Sequence, residues 1–450
     1  MLKRLLHRSY YRNAGLSHRL RALTPGGWFV LLAMLAAGAI GIDTKQAMSF
    51  QMFALLLAAF LVAGLWYCWP PPRLMLTREL PRYGSVGAKF SYRVRIANPN
   101  RHSRLDLTLT EEFGDFRPTH REFLRWAEPG EEHRNAFDRA FGYYRWLWLM
   151  NRNRPALAEE TALPILPPQS ETIVTMELLP QRRGVLRFGP ALISARDPLG
   201  LARRNTHIGE KQSMLILPKL YFIPERAMHG GREFQAGGAT SALSVGGYQE
   251  FVSIRDYRQG DPLRHVHWKS SARADRLLVR EFQDQFFVRQ AIVLDTFDDH
   301  ASLGVFEEAV SLAASYASGL RTTESLVDIL MVQDGGDASR PERGIGTPVD
   351  IMETLAAVEP CRNKSVEVLT ELVFESLPRF GGVIVILLAW DEPRRELVRL
   401  IRESEITLRV ILIVEPGQSK LIDPGPMADQ PESFACLEAG KLEAGLANLE

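Results

Sequence analysis

The chain has 450 residues, enough for two or three domains, and a formal net charge of +1, from 54 Lys and Arg against 53 Asp and Glu. This balance gives no overall field that would favour nucleic acid or an acidic partner. The three cysteines are odd in number and far apart, which excludes a disulfide framework and a paired-cysteine metal site and favours a reducing compartment.

The first 70 residues have the composition of a membrane anchor. Residues 1–21 contain six Lys or Arg and no acid, whereas the stretches 22–42 and 52–69 are uncharged. A helix rising ~1.5 Å per residue needs ~20 residues to cross the hydrocarbon, so the two stretches predict a transmembrane hairpin. Basic residues before the first span and after the second place both ends in the cytoplasm. A cleaved signal peptide is the alternative, but it leaves the second apolar stretch unexplained.

Residues 71–216 contain short strand patterns separated by turn residues. Residues 90–97 and 172–178 are the clearest alternating runs, and Asn, Pro and Gly lie between such runs. Short strands bounded by turns predict an antiparallel β-sandwich. The aromatic run at residues 143–148 is interpreted as core or membrane-proximal packing, with a partner-binding patch as the alternative.

Residues 248–282 interleave basic and acidic side chains whose charges nearly cancel. A nucleic-acid surface is basic on balance, so this pattern predicts an internal network of ion pairs and hydrogen bonds instead. Apolar residues in the same stretch would seat the network against a core. Arg255 and Trp268 are therefore predicted to belong to a structural clasp between the β region and the domain that follows.

The same stretch offers two candidates for chemistry. His265 and His267 would share a face in a strand, but no third metal ligand is near and Arg264 would repel a cation. Hydrogen-bonded structural histidines are the favoured interpretation, with a metal pair as the alternative. The serines at 270–271 lie in no nucleophile elbow, so they are interpreted as capping or turn hydroxyls.

The order of residues in this stretch matches a known pattern. Its members are Phe251, Arg255, Tyr257, Gly260, Asp261, Arg264, Trp268, Ser271 and Arg273. Together with the upstream runs at 182–184 (RRG) and 197–201 (DPLGL), they resemble the landmarks of the bacterial "domain of unknown function 58" family over residues 20–415. That resemblance implies an architecture rather than a reaction and, by association, a MoxR-type AAA+ ATPase as partner.

The carboxyl-terminal part alternates apolar strands with amphipathic helices. Strands are predicted at 288–294, 326–332, 382–389 and 408–414, and helices at 305–320, 349–358 and 394–403. This order predicts a doubly wound parallel sheet covered by helices on both faces. The tail, residues 417–450, has little apolar periodicity before Phe434 and is predicted to be loosely held.

Acidic residues follow two of these strands, where ligand sites of parallel sheets lie. Asp295 opens the run Asp-Thr-Phe-Asp-Asp, and Asp391 follows the strand at 382–389. The run resembles the metal-binding loop of von Willebrand factor A-type domains, and this resemblance implies Asp295, Asp299, Thr347 and Asp391 as ligands of Mg²⁺.

The resemblance is incomplete, because Phe297 stands where that family has a serine ligand. A degenerate site with weak Mg²⁺ affinity is therefore one interpretation. The second is that Asp295 and Asp391 end strands and cap helices. The third is recognition, in which the carboxylates are displayed to a Lys or Arg of a partner.

The sequence as a whole predicts a membrane-anchored multidomain chain. Its predicted segments are a basic cytoplasmic amino end (1–21), a two-helix transmembrane hairpin (22–70), a β-sandwich-like domain (71–216), a linker with the family signature (217–285), a von Willebrand factor A-like α/β domain (286–416) and a tail (417–450). The predicted location is the bacterial inner membrane, multi-pass, with the soluble domains facing the cytoplasm.

The favoured function is a non-catalytic protein-interaction or assembly factor whose partners are the bilayer and a protein, with no nucleic acid. No catalytic or cofactor-binding residue is predicted, because the sequence shows no nucleophile–base pair and no complete metal set. The alternatives are a structural component of the cell envelope and a carboxylate- or metal-dependent hydrolase.

Overall fold

The computed structural model describes residues 2–20, 23–40, 47–68, 70–71, 73–224, 249–258, 261, 263–284, 288–297, 302–320, 325–334, 348–404, 406–418 and 422–448. The chain is mixed α/β and divides into two compact units, Met1–Leu217 and Pro218–Glu450.

Three helices open the first unit: α1 (Leu2–Leu20), α2 (Pro25–Ile40) and α3 (Ala47–Cys68). Within the described residues, the part of α3 from Met48 to Cys68 is the one helix long and apolar enough to cross a membrane, while α2 is apolar but has 16 residues. The two apolar helices contact each other closely, since a Cβ on Gly38 would lie 3.1 Å from the ring of Phe53. Length and composition thus suggest membrane association.

The β region that follows is built from short strands around one core. They are β1 (Met75–Glu79), β2 (Tyr83–Ser85), β3 (Phe90–Asn98), β4 (Leu107–Thr110), β5 (Ala156–Ala158), β6 (Thr161–Ala162), β7 (Ser170–Pro180), β8 (Gly184–Phe188), β9 (Ala191–Arg196), β10 (Arg203–Ile208) and β11 (Gln212–Leu217). The sheet orders are β1-β3-β7-β5, β10-β9-β4-β6 and β2-β11-β8, with antiparallel pairing except between β2 and β11. Successive side chains of β3 alternate between this core and solvent. Val94 and Ile96 are fully buried, whereas Arg93 and Arg95 are exposed.

A buried ion pair lies within the β region. Nη2 of Arg78 is 2.8 Å from Oε2 of Glu111, and both side chains are at most 1% exposed. The hydroxyl of Tyr92 donates to Glu111, and Arg78 also donates to the carbonyls of Gly189 and Glu210. Burial, followed by the Glu111 charge, raises the pKa of Tyr92. The pair is saturated with partners, as a buried charge requires.

Three short helices between β4 and β5 depart from the predicted sandwich. They are α4 (His120–Arg125), α5 (Ala136–Phe141) and α6 (Tyr143–Asn153). A capping box at Thr119 and Glu122 starts α4. The aromatic run at 143–148 is the start of α6, where Trp146 is buried against Phe123. Helical spacing, not strand alternation, therefore explains this run.

The second unit begins with a separate hairpin. Strands β12 (Gln249–Asp256) and β13 (Leu278–Asp284) pair antiparallel as a two-stranded sheet, and α7 (Trp268–Ala274) lies in the connection between them. We call residues 249–284 the signature arm.

A parallel sheet forms the body of the second unit. Its strands are β14 (Val288–Leu294), β15 (Ser325–Leu330), β16 (Gly382–Leu387), β17 (Thr407–Val414) and β18 (Phe434–Glu438), in the order β15-β14-β16-β17-β18. The helices are α8 (Leu303–Gly319), α9 (Pro348–Ala357), α10 (Val366–Ser376), α11 (Glu392–Glu403) and α12 (Leu442–Ala447). The central strands β16 and β17 are buried along almost their whole length, as strands covered on both faces must be.

The tail is not loosely held, so that expectation was wrong. Residues 434–438 form β18, the fifth strand of the sheet, and pair with β17 from Val410 to Val414. Ala435 and Leu437 point into the core, and Leu442 and Leu446 of α12 are buried. A five-residue strand that alternates its burial gives little periodic signal, and backbone pairing to the exposed edge of β17 provides the rest of its stability.

Candidate functional site

The carboxyl ends of β14 and β16 hold a buried ionic centre. Asp295 follows β14 directly and is 1% exposed, and Asp391 caps the start of α11. Between them lies the guanidinium of Arg394, also 1% exposed. Its Nε is 2.5 Å from Oδ2 of Asp295, and its Nη1 is 2.5 Å from Oδ2 of Asp391. We call these three residues the Arg394 centre.

The centre is electrostatically self-contained. Burial alone would lower the pKa of Arg394, but the carboxylates of Asp295 and then Asp391 raise it above its ordinary value, so the guanidinium stays charged. Asp295 also accepts hydrogen bonds from the backbone N–H groups of Phe297 and Leu388, at 3.0 Å each. With the two bonds from Arg394, the Asp295 carboxylate accepts four hydrogen bonds from the chain.

This geometry bears on the predicted magnesium site. The structure does bring Asp295 and Asp391 together, whereas Asp299 and Thr347 lie outside the described residues. The oxygens that a divalent cation would need already accept from Arg394, whose positive charge would repel the ion. Within the described part of the chain, no group of three or more His, Cys, Asp or Glu could hold a metal ion. The described residues therefore do not fit Mg²⁺.

The recognition interpretation also meets an obstacle. A carboxylate displayed to a partner must be accessible, and Asp295 is buried beneath its own arginine. Asp391 keeps a side-chain exposure of 32% but is held by Arg394 and by capping the backbone N–H of that residue, at 3.2 Å. The capping interpretation describes Asp391, and Asp295 is the buried counter-ion.

Sequence reasoning missed Arg394, although a signal existed. A basic side chain in the first turn of a helix faces the positive end of the helix dipole, which is unfavourable without a compensating acid. Arg394 occupies that position in α11, three residues after Asp391. An arginine there, next to a strand ending in an acid, indicates an ion pair rather than a solvated charge.

A loop closes the neighbouring strand end. The backbone N–H of Cys361 donates to Thr296 at 2.7 Å, and the hydroxyl of Thr296 donates to Val332 at 2.6 Å. Asp334 accepts from the backbone N–H of Arg362 at 2.8 Å. Burial, and then Asp334, raise the pKa of the Cys361 thiol, which disfavours the reactive thiolate form.

The signature arm contains the predicted network in part. Arg255 grips Asp261 with both terminal nitrogens, at 2.7 and 2.8 Å, and the backbone N–H of Arg258 donates to the same carboxylate at 2.8 Å. Arg255, first through its hydrogen bond, lowers the pKa of Asp261 to about 2. The hydroxyl of Ser271 accepts from the N–H of Leu278 at 2.9 Å and tethers α7 to β13.

The other signature positions are distributed along the arm. Phe251 lies on β12 in register with Phe282, and Tyr257 donates its N–H to Leu277. Arg264 and Arg273 are exposed, and Gly260 lies outside the described residues. His267 shares a 2.6 Å hydrogen bond with Ser270, and His265 lies 3.3 Å from Nε of Arg264.

The prediction that Trp268 packs into a core was wrong. Its side chain is 64% exposed at the start of α7. Among the described side chains of the arm, the buried ones are those of Val266, Val279 and Ser271. Further exposed apolar side chains on the arm are Ile254 (39%), Leu263 (65%) and Leu277 (43%). An exposed tryptophan among apolar neighbours is typical of interaction surfaces.

The DPLGL run has a structural role in the first unit. Asp197 accepts from the N–H of Ala202 at 2.7 Å and thereby fixes the turn between β9 and β10. Two carbonyl groups of this turn accept hydrogen bonds from the residue just before α2. The N–H of Thr24 donates to the carbonyl of Leu201 at 3.0 Å, and its hydroxyl donates to the carbonyl of Gly200 at 2.6 Å. A Cβ on Gly27 would lie 2.0 Å from the carbonyl oxygen of Leu201.

The end of α3 is attached to the same hairpin. Arg204 of β10 places its guanidinium 4.6 Å from the centre of the Trp66 ring, a cation–π distance. Both apolar helices are thus fastened to β9 and β10, at the start of α2 and near the end of α3. We call these contacts the hairpin clamp.

Comparisons with known proteins locate the family relationship. Residues 253–433 match the family described as "Protein of unknown function DUF58". Within that range, the resemblance predicted from the signature is confirmed. The chain is also similar to "Uncharacterized protein YeaD" of Bacillus subtilis (strain 168), with 24% identity over 173 residues, 36% of this chain and 42% of that protein. The chain therefore spans about two fifths of this relative's length.

Similarity to solved structures is low. The CARDB domain of PF1109 from Pyrococcus furiosus covers 32% of this chain and 94% of its own, with 12% identity and a TM-score of 0.16. A cohesin module from a Clostridium perfringens family 33 glycoside hydrolase covers 32% of this chain and 98% of its own, with 11% identity and a TM-score of 0.17. Scores this low carry no argument about fold or function.

Proposed function

We propose that the chain is a non-catalytic protein-interaction or assembly factor of the bacterial inner membrane. In this proposal α2 and α3 form a two-span hairpin, both soluble units lie in the cytoplasm, and the parallel-sheet body is a von Willebrand factor A-like domain without a working metal site. The signature arm is the surface that binds the protein partner. The family resemblance makes a MoxR-type AAA+ ATPase the first partner to test.

The observation that carries the proposal is the exposure of Trp268. Each Å² of apolar surface removed from water stabilises a protein by ~25 cal/mol. The Trp268 indole is 64% exposed, so most of this stabilisation is not realised in the isolated chain and is left for a partner to provide. The acidic and basic groups at the base of the arm, Arg255 and Asp261, are paired with each other. The arm thus offers a preformed backbone and an apolar contact, as binding hot spots do.

The ionic centre supports the non-catalytic part of the proposal. An enzyme at the strand ends would need an accessible acid, base or metal ligand. Asp295 is instead buried and paired to Arg394, and the Cys361 thiol is buried beside Asp334. The strand-end region is therefore better suited to holding the body rigid.

The test is a binding measurement with the full chain in detergent and a purified MoxR-type ATPase. Trp268→Ala should weaken binding by about 2 kcal/mol or more, roughly 30-fold in Kd. Thermal unfolding should barely change, because exposed substitutions usually alter stability by less than about 0.5 kcal/mol.

Phe374→Ala is the matched control. Phe374 is 61% exposed on α10, outside the arm, and its loss should leave both binding and stability unchanged. Equal binding by the Trp268 and Phe374 variants would refute the arm as the docking surface. No binding by the wild-type chain would exclude this ATPase class, and detergent pull-downs that recover envelope proteins alone would then favour the structural alternative.

A further inference from the structure

One face of α1 carries a row of arginines. Arg4, Arg8 and Arg12 recur every four residues, so they lie along one side of the helix, and all three are exposed. Like charges at this spacing destabilise a helix. Among the described residues, none of the three forms an ion pair, and α1 contains no acid. The row therefore lacks an anionic counterpart within the described part of the chain.

The other side of α1 is fixed by packing. Nε2 of His7 is 2.9 Å from the carbonyl oxygen of Pro118, and the ring of Tyr10 lies 5.9 Å from that of Trp146. The hydroxyl of Tyr10 donates to the carbonyl of Phe141 at 3.2 Å. Because these contacts hold one side of α1 against α4–α6, the arginine row is presented outward in a defined orientation.

The acids before α4 and between α4 and α5 are paired with arginines outside α1. Glu131 is paired with Arg145, and Glu128 with Arg134 at 2.8 Å. Asp115 is paired with Arg117 at 2.7 Å and also accepts from the hydroxyl of Tyr11. Each of these carboxylates is therefore held by an arginine of residues 115–154 and not by the arginine row of α1.

Exposed aromatic side chains lie on the helices that pack against α1. Phe137 and Phe141 of α5 are 68% and 39% exposed, and their ring centres are 4.4 Å apart. Tyr143 and Tyr144, at the start of α6, are 48% and 40% exposed. The carbonyl of Phe141 accepts from Tyr10, so this cluster adjoins the packed side of α1, away from the arginine row. Exposed aromatic and exposed basic side chains are both characteristic of membrane–water interfaces.

The chain also limits the distance between the end of α1 and the apolar hairpin. α1 ends at Leu20 and α2 begins at Pro25. Five residue steps reach at most roughly 18 Å, so the end of α1 cannot be far from the first turn of α2. We propose that α1, α5 and the start of α6 form an interfacial surface that binds the anionic phospholipid headgroups of the bilayer holding the hairpin. This inference rests on the membrane anchorage in the proposed function.

The chemistry of the two sides is complementary. A guanidinium binds phosphate oxygens through two parallel N–H groups, which suits phosphodiester headgroups. Each basic residue close to an anionic membrane surface contributes about fivefold to binding. The phenyl and phenol rings of α5 and α6 would enter the headgroup region as well. An interfacial surface of this kind would fix the β region at the membrane instead of leaving it tethered by the hairpin alone.

The test uses the full chain in lipid nanodiscs and measures hydrogen exchange of the α1 and α5 amides. Discs of phosphatidylglycerol are compared with discs of phosphatidylcholine, and both contain the same scaffold protein and no further protein besides the chain. Exchange should be slowed about tenfold or more in the anionic discs, and added salt should reduce the difference. Both faces of a disc have the same lipids. The comparison therefore does not depend on which way the basic residues orient the chain in the disc.

Two triple variants separate a local surface from overall charge. Arg4→Gln with Arg8→Gln and Arg12→Gln should abolish the lipid dependence. The control, Arg93→Gln with Arg101→Gln and Lys211→Gln, removes the same charge from exposed positions in the β region and should retain it. Unchanged exchange of β9, which none of the substitutions touches, in all variants shows that the fold is intact.

Three results would overturn the inference. Equal exchange in the two disc types is the first, and a lipid dependence that survives in the α1 variant is the second. Both leave the proposed membrane anchorage standing. The third is a chain that stays outside the discs, which would overturn the anchorage and the lipid surface together.

Discussion

At the scale of single residues, Arg394 is the position where one side chain has the largest consequence. Removing it leaves Asp295, 1% exposed, with a charge and no cationic partner. Breaking a buried pair from one side costs about 3–5 kcal/mol, so we expect Arg394→Ala to lower the free energy of unfolding by that amount. Arg399→Ala is the control: this arginine of α11 forms surface ion pairs, which contribute about 1 kcal/mol or less.

The same residue decides the metal question. With the guanidinium in place, millimolar Mg²⁺ or Mn²⁺ should leave the melting temperature of the wild-type chain unchanged. In Arg394→Ala the two carboxylates lose their cation, and a divalent ion that binds there should recover part of the stability by mass action. A wild-type chain that is stabilised by Mg²⁺, with the effect lost in Asp295→Asn, would show instead that a working metal site exists.

At the scale of elements, the hairpin clamp predicts that alanine substitutions at two adjacent glycines of α2 have different effects on stability. A methyl group on Gly27 would lie 2.0 Å from the carbonyl oxygen of Leu201, whereas on Gly26 the nearest atom would be 3.6 Å away. Gly27→Ala should therefore force α2 off the β9–β10 turn, at about 1–3 kcal/mol. Gly26→Ala should be neutral or stabilise the helix by about 0.4–1 kcal/mol.

Thermal unfolding of the full chain in detergent measures the stability difference, and hydrogen exchange at residues 197–202 measures the turn itself. Faster exchange of the turn in the Gly27 variant alone would show that the clamp holds both parts. If the two alanine variants behave alike, the contact with Leu201 does not constrain α2, and the apolar helices are connected to the β region by the chain only.

Elements differed in how much their sequences could predict. The strands at 382–389 and 408–414 were predicted closely because continuous apolar runs are needed where helices cover both faces. The helices α4 and α5 were not, because six residues give less than two turns of periodicity. At the strand ends, the position of Asp295 and Asp391 was predictable from the parallel sheet. Their shared partner, Arg394, could not be predicted. In the sequence it resembles a solvent-exposed arginine of a helix, and only the structure shows that this side of α11 is buried.

The exposure of Trp268 could not be predicted from the composition of its stretch. Tryptophan in a stretch with paired charges predicts a packed side chain, since large aromatic residues are mostly buried. The arm instead is a two-stranded hairpin, and the side chains described as buried in it are smaller than an indole. Two strands form little core of their own, and the tryptophan side chain stays 64% exposed.

At the scale of the whole molecule, the decisive property is the orientation of the apolar helices in a bilayer. Six Lys or Arg precede the first apolar stretch, whereas the segment between the two stretches has a single Lys. Basic flanks stay on the cytoplasmic side, so a hairpin with both ends inside is expected. A reporter active only outside the cytoplasm should be silent when fused after Glu450 and active when inserted near Ala47.

A third reporter position tests the hairpin clamp and the topology together. Gly87 lies in the turn between β2 and β3, and a Cβ on it would meet no atom within 4 Å, so we expect an insertion on this open side of the turn to be accepted. Because both apolar helices are fastened to β9 and β10, the β region must lie on the side where α2 begins and α3 ends. The Gly87 reporter should then match the one after Glu450. A signal at Gly87 and at Glu450 but not at Ala47 would invert the hairpin, and equal signals at all three would mean that α2 and α3 do not both cross the membrane.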